Sequence, residues 1–383
     1  MPLSKIPSDI SKLIISRLPV KSVLVCKCVC KSRLKVISCL ISDPDFVQMH
    51  LDFHRQNSTR LMFGRRIDEE DRNDTQIHSI GYDSLASLLL PKIEAENDIN
   101  DVEMPVIEDN NDDVEMDYSS SSDYTRQMDH PFKNSGLTVD LFGSCNGILC
   151  IWFHADKWSD DQEQFFCLWN PATNEYKRIS EAPKRYNYWG KDITLHALVY
   201  DPTADDYKFI IAVSSEDKTN EIRSLVHAYS LASDSWKSFL TPYDFYYFAQ
   251  QSGVLFNGDL HWLSLGTHYS IVSLDIKNEK FKEIEPPLGR LQLSLVWVLE
   301  DRLCVVVEDE NDDINIWAMQ VYGDPKSWTK SYTVTHEIIT SRIRSYGTVM
   351  KFMWSFKNGV ILFTDPVELY LYDHSMVELL YVS

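Results

Sequence analysis

Cys26-x-Cys28-x-Cys30 is a constellation in this 383-residue chain with the side chains to bind a metal. On a helix only Cys26 and Cys30 share a face, and no second pair of ligands follows at finger-like spacing, so no metal site is expected and the thiols read as core-filling groups. His261 follows Asn257-Gly258-Asp259, where an imidazole can act as a base, although a histidine in a β-rich core more often serves structure. There is no phosphate-cradling glycine loop, no nucleophile elbow and no zinc-protease helix motif. Carboxylates are too numerous for proximity in sequence to single out a general acid and base. The reading is of a chain with no catalytic residues and no cofactor, whose function resides in the surfaces its elements present.

The first of those elements is the run Ile6 to Leu51. Apolar residues at Ile10, Leu13, Ile14 and Leu18 fall on one face of a helix entered through Pro7. Pro19 ends it, pushing Leu18 out of the α region, and opens a second helix carrying Val20, Val23 and Leu24. Cys30, Leu34, Ile37 and Ile41 repeat the spacing until Asp43, a capping residue, and Pro44 start a last turn carrying Phe46, Val47 and Leu51. About fifty residues of short helices enclose little core, and small domains of this kind commonly need a partner.

Composition bounds the remainder. A hydrophobic share of 44% and an aromatic share of 12% suffice for a sizeable core, so one small module and one large domain fit. No apolar run approaches the roughly twenty residues of a membrane span, and the first residues carry helix signals in place of a secretory leader, so no membrane role is expected. The eight scattered cysteines suit a reducing compartment. A formal charge of −20 argues against nucleic-acid binding.

Charge is unevenly spread. Residues 1–40 hold eight basic side chains against the single acid Asp9, making the helical module cationic and suited to an acidic partner. From Glu94 to Asp129 thirteen acids face only Arg126, beside the serine run Ser119 to Ser122. Such a segment has little to bury and repels itself, so an acidic disordered insertion is expected there. Between the two, apolar Leu61-Met62-Phe63 and the run through Ile77, Ile80 and Tyr82 suit two strands joined by a polar loop.

Beyond Leu137 the signals are β. Asn146-Gly147 and Asn257-Gly258 mark hairpin turns. One grammar of strand end, turn and strand start recurs: Asn170-Pro171-Ala172-Thr173-Asn174, Asp201-Pro202-Thr203-Ala204-Asp205, Ser230-Leu231-Ala232-Ser233-Asp234 and Asp275-Ile276-Lys277-Asn278-Glu279. Later repeats starting near 228, 273, 320 and 371 are separated by 45, 47 and 51 residues, close to the length of a propeller blade, whereas an earlier interval of about thirty fits less well. The fold class is α+β by composition: a small all-α module (1–51), a connecting segment with the first strands (52–93), the acidic insertion (94–136) and a large all-β domain (137–383). That domain reads as a β-propeller, with a β-sandwich as the other arrangement of such hairpins.

Ile6-Pro7-Ser8-Asp9, Arg17 to Val23, Cys26 to Ser32, Ile41 to Phe46 and His50-Leu51, as ordered elements, resemble the F-box. Plant members usually carry tryptophan after Lys31-Ser32, where this chain has Arg33. Gly143 to Cys150, Leu168 to Thr173, Tyr200-Asp201-Pro202 and Asn257 to Trp262 resemble the F-box-associated domain of plant F-box proteins, often described with kelch repeats, though the paired glycines of a kelch blade are absent. The resemblance implies a non-catalytic substrate-recognition adaptor of a Skp–cullin–F-box ubiquitin ligase, cytoplasmic or nuclear. It further implies that Ile6, Pro7, Ile10, Ile14, Leu18, Pro19, Val20 and Val29 bind the Skp-type linker, and through it cullin, while the β domain binds a protein target. An acidic surface suits a basic target, such as the ribonucleases captured by related self-incompatibility (S-locus) F-box proteins. A β-propeller enzyme or carbohydrate-binding protein with a helical cap is the alternative reading.

Overall fold

A computed structural model describes residues 8–20, 22–24, 43–57, 60–66, 75–81, 125–155, 163–183, 193–215, 223–243, 245, 252–265, 269–287, 292–308, 314–334, 351–355, 360–364, 369–373 and 378–382. The chain divides into two compact units, the first comprising Met1–Arg65, Gln76–His130 and Asn170–Glu175, the second Arg66–Thr75, Pro131–Trp169 and Tyr176–Ser383.

The first unit holds two helices, α1 (Ser8–Ser16) and α2 (Pro44–Asn57). α1 stops two residues before Leu18, where the sequence placed its end, because Arg17 and Leu18 donate to the Ile14 and Ile15 carbonyls at 3.3 and 3.1 Å and tighten the last turn ahead of Pro19. α2 begins at Pro44 as expected and runs six residues past Leu51. All but the last residue of β1 (Arg60–Arg66), all but the first of β2 (Thr75–Gly81) and the whole of β3 (Thr125–Gln127) lie in the same unit, in a sheet of order β1-β2-β3. β3 and residues 128–136 belong to the span expected as the acidic insertion; residues 82–124 lie outside the described residues.

Five further sheets, which apart from Asn170–Glu175 lie in the second unit, make a five-bladed β-propeller, and each blade is a four-stranded meander of strands consecutive in sequence. The blades are β4 (Thr138–Cys145) to β7 (Glu175–Arg178) with β5 (Ile148–His154) and β6 (Gln164–Asn170); then β8 (Ile193–Asp201), β9 (Asp206–Ser215), β10 (Arg223–Ser230) and β11 (Ser235–Thr241). The third is β12 (Val254–Phe256), β13 (Asp259–Leu265), β14 (Tyr269–Asp275) and β15 (Lys280–Ile284); the fourth β16 (Gln292–Leu299), β17 (Arg302–Glu308), β18 (Ile314–Met319) and β19 (Trp328–Val334). The fifth is β20 (Lys351–Ser355), β21 (Val360–Thr364), β22 (Leu369–Asp373) and β23 (Glu378–Val382). The interval of about thirty residues now has a reason: Asn170 starts the turn between a third and a fourth strand, whereas Asp201 starts one between a first and a second.

Apolar side chains fill the spaces between successive blades from the first to the fourth. Trp152, Phe166, Phe209 and Tyr229 share one cluster, Val199, Ile210, Trp262 and Leu274 a second, and Leu263, Ile271, Val305 and Trp328 a third. Burying one such side chain contributes about 1.5–3 kcal/mol. The first strands of the first and second blades approach so closely that a Cβ on Gly143 would lie 3.1 Å from the Leu198 nitrogen, and Gly143 sits at φ +147°, which favours glycine. Further along, His196 and Ser252 form a parallel bridge.

Candidate docking surfaces

Asp43 sets the geometry of the helical pair. Its Oδ1 accepts from the Asp45 nitrogen at 3.2 Å, its carbonyl from the Val47 nitrogen at 3.0 Å, and its Oδ2 from Lys12 Nζ on α1 at 2.6 Å. The bond from Lys12 holds the Asp43 carboxyl below the usual carboxylate range. Two histidines one turn apart on α2 tie down the end of α1: His50 Nδ1 donates to the Ser16 carbonyl at 2.8 Å and His54 Nε2 to the Leu18 carbonyl at 3.1 Å. These are C-terminal carbonyls that the helix itself leaves unpaired. Burial lowers the His50 pKa. Phe46 and Val23 are 3% and 5% exposed, so among the described residues of the module these two apolar side chains form its buried part.

Outside that part lies the apolar surface of Leu13 and Ile14, each 45% exposed, and of Val47, 42% exposed. Among the residues expected to bind a linker, Ile14 is on this open surface, Pro19 is exposed, and Leu18 and Val20 are half-buried. Ile10 lies in α1; Ile6, Pro7 and Val29 lie outside the described residues, as do Cys26, Cys28, Cys30 and Arg33. Leu13 and Val47 were not among the expected contacts, although helical spacing had already placed Leu13 on the face with Ile14.

At one end of the propeller's sheets the turns repeat a single device. Asn170 Oδ1, Asp201 Oδ1 and Asp275 Oδ1 each accept from the backbone nitrogens two and three residues on, at 2.9–3.3 Å. The residue four positions on is then left-handed: Asn174, Asp205 and Glu279 have φ of 60°, 51° and 52°. Ser230 plays the same part more weakly, accepting from Ser233 N at 3.2 Å ahead of left-handed Asp234. Burial raises the Asp201 pKa, but bonds from Thr203, Lys208 and Ala204 outweigh it and hold the carboxyl down at about 2.

These turns also tie blade to blade. Lys208 Nζ bonds Asp201 Oδ2 at 2.9 Å and the Ile276 carbonyl of the next blade at 3.1 Å. Lys177 pairs with Asp234 at 3.1 Å, and Lys237 with Glu279. Trp236 and Trp328 each donate an indole N–H at 3.0 Å to a carbonyl of the preceding blade, Ser180 and Glu285. His261 is fully buried, with Nε2 2.9 Å from the Tyr322 hydroxyl and Nδ1 3.2 Å from the Val254 carbonyl; Tyr322 in turn donates to Asp259 Oδ2 at 3.3 Å. Burial lowers the His261 pKa and pushes that of Tyr322 up to about 12. The imidazole is therefore a bonded part of the joint between the third and fourth blades, the structural role weighed for it above.

At the opposite end of the first blade a groove of about 250 Å³ is lined by Trp152, Phe165, Phe166, Glu163 and Arg178. The Arg178 guanidinium lies 3.9 Å from the Phe165 ring centre and pairs with Glu163 at 2.9 Å, while Trp152 and Phe165 are only 2% and 8% exposed, so the groove offers a ligand little apolar surface. Among the described residues no cluster of three or more His, Cys, Asp or Glu is placed to hold a metal ion, and no helix is long and apolar enough to cross a membrane.

Residues 97–377 match the family model of the F-box associated beta propeller domain, and residues 3–32 that of the F-box domain. F-box protein CPR1 of Arabidopsis thaliana is 26% identical over 87% of this chain and 73% of the relative. From the same plant, F-box protein At3g07870 is 29% identical over 55% of this chain and 54% of the relative, and F-box/kelch-repeat protein At3g23880 is 24% identical over 57% and 58%. The chain thus spans a little over half the length of those two. Among solved structures, TolB from Acinetobacter baumannii superposes with a TM-score of 0.42 and 9% identity over 80% of this chain and 61% of that one, a likeness too slight to bear on the fold.

Proposed function

We propose, from the premise that this chain belongs to the F-box associated β-propeller family and carries an F-box domain ahead of the propeller, that it is a substrate-recognition adaptor of a Skp–cullin–F-box ubiquitin ligase. The helical module holds a Skp-type linker and through it cullin. The propeller holds a protein target, and the adaptor makes no bonds itself: it acts by raising the local concentration of target lysines at the ubiquitin-charged enzyme. The observation that carries this reading is the solvent-facing apolar surface of Leu13, Ile14 and Val47, beside the buried Val23 and Phe46. Ile6, Pro7, Ile10, Leu18, Pro19, Val20 and Val29 extend the linker contact. A chain with net charge −20 suits a basic target, a class to which self-incompatibility ribonucleases belong, met in the cytoplasm or nucleus.

Copurification tests it. The tagged chain should retrieve a Skp-type linker, and Ile14→Asp or Leu18→Asp should lower retrieval at least about tenfold, as loss of a central apolar contact does. A chain that brings down no linker, or variants that bring it down as well as the parent, would overturn the reading. Proximity labelling with the proteasome blocked identifies the target.

A further inference from the structure

Each blade has four strands, but the sheet of the first unit has three, in the order β1-β2-β3. β2 is its middle strand, with Ile77 and Ile80 fully buried and Ser79 1% exposed. β1 lies at one margin, held by Arg60 Nη2 donating to Ser79 Oγ at 3.0 Å and by the Phe63 ring stacked on His78 at 5.9 Å. Along β1, Leu61, Met62 and Phe63 are only half-buried. β1 is seven residues long against three for β3, so the longer margin is the β1 side, and among the described residues no strand pairs with its outer edge. An edge of this length presents a row of main-chain N–H and C=O groups, which is the template for strand addition.

Charge selects what can add. The strand Arg60-Leu61-Met62-Phe63-Gly64-Arg65-Arg66 has three arginines and no acid, in a chain of net charge −20. Pairing β1 with the β1 of a second copy in antiparallel register brings Arg60 of one strand near Arg65 and Arg66 of the other, and like charges across a strand pair are unfavourable. The basic edge thus rejects its own copy and attracts the opposite sign. We infer that the edge of β1 left open among the described residues accepts a fourth strand from a partner protein, and that this strand is an extended segment of alternating acidic and apolar residues. The acids answer the positive charge of the strand, the main chain completes the ladder, and the apolar residues cover Leu61 to Phe63. This inference does not depend on the module binding a linker.

The probe is a fluorescent peptide of alternating glutamate and valine, with a lysine–valine peptide as the sign control and a copy of the acidic peptide N-methylated at alternate residues as the main-chain control, each added to the full chain. Anisotropy should show binding of the acidic peptide that weakens with salt, and amide exchange should slow in residues 60–66 while the propeller strands are unchanged. Arg65→Glu should reduce that affinity by about tenfold and favour the lysine peptide. Equal binding of the two signs, unimpaired binding of the N-methylated peptide, or slowed exchange elsewhere than 60–66 would each overturn the inference. So would binding that begins only when residues 94–124 are deleted, because the occupant would then be the chain's own acidic segment.

Discussion

Leu13, Ile14 and Val47 of the helical module keep 45%, 45% and 42% of their surface in solvent, whereas Trp169, Trp262 and Tyr229 of the β-strands keep 1%, 0% and 0%. Among the described residues of the module the helices are tied by polar bonds, Lys12 to Asp43 and His50 and His54 to the end of α1, with Val23 and Phe46 buried. The first four blades are held by apolar clusters that each span two neighbours and are pinned at their turns by lysines and indoles. A region that satisfies itself and a region that leaves apolar surface uncovered differ in what mutation should do to them: the first should lose stability, the second should lose partners.

The largest effect is expected at Gly143. Gly143→Ala drives a Cβ against the Leu198 backbone at a φ of +147° and should cost about 3 kcal/mol, read as a shift of the denaturation midpoint. If that midpoint stays put, the first strands of the first two blades have room to move and the close-packed side of the comparison fails. Next comes Asp201. With its folded pKa near 2 against an unfolded value near 3.9, the carboxylate stabilises the fold by about 2 kcal/mol above pH 4 and loses that contribution as pH falls from about 4 toward 2. Asp201→Asn should therefore lower stability at neutral pH and flatten the acid limb of a melting-temperature profile.

His261 acts in another pH window. Its depressed pKa means the unfolded chain takes up the proton first, so stability is full above about pH 6.5 and declines below it. His261→Gln should remove part of that slope between pH 7 and 5. A smaller gain is expected at the turn between β16 and β17, where Glu300 and Asp301 are both left-handed at φ 47° and 57°. Replacing them with Asn and Gly should raise stability by about 1 kcal/mol, visible in urea titration. The smallest effect sharpens the other side: Leu13→Ser with Ile14→Ser should change the stability of the free chain by less than about 0.5 kcal/mol while abolishing linker retrieval. A marked drop in stability would show that these side chains are needed by the module itself.

Turn chemistry was the most legible part of the fold, because Asn170, Asp201 and Asp275 carry the very oxygens that cap their turns, and Asn146-Gly147 and Asn257-Gly258 tolerate left-handed backbone. Glu300-Asp301 makes a like turn with a weaker signal, since Asp tolerates that conformation but Glu does not favour it and no glycine follows. β3 escaped notice for a different reason: Thr125-Arg126-Gln127 has neither length nor alternation, and its strand character comes from pairing with His78, Ser79 and Ile80. On the docking surface, periodicity found the face of Ile14 and Leu13. It had no means of showing that His50 and His54 face the carbonyls of Ser16 and Leu18, more than thirty residues away in sequence.

Every blade closes its own hydrogen-bond ladder from four strands in a row, and the indoles of Trp236 and Trp328 reach back to carbonyls of the blade made before. For a chain emerging from the ribosome, this means that no strand waits for a partner still to be synthesised within its own blade. Each blade can form from local contacts and then find, already complete, the surface on which it docks.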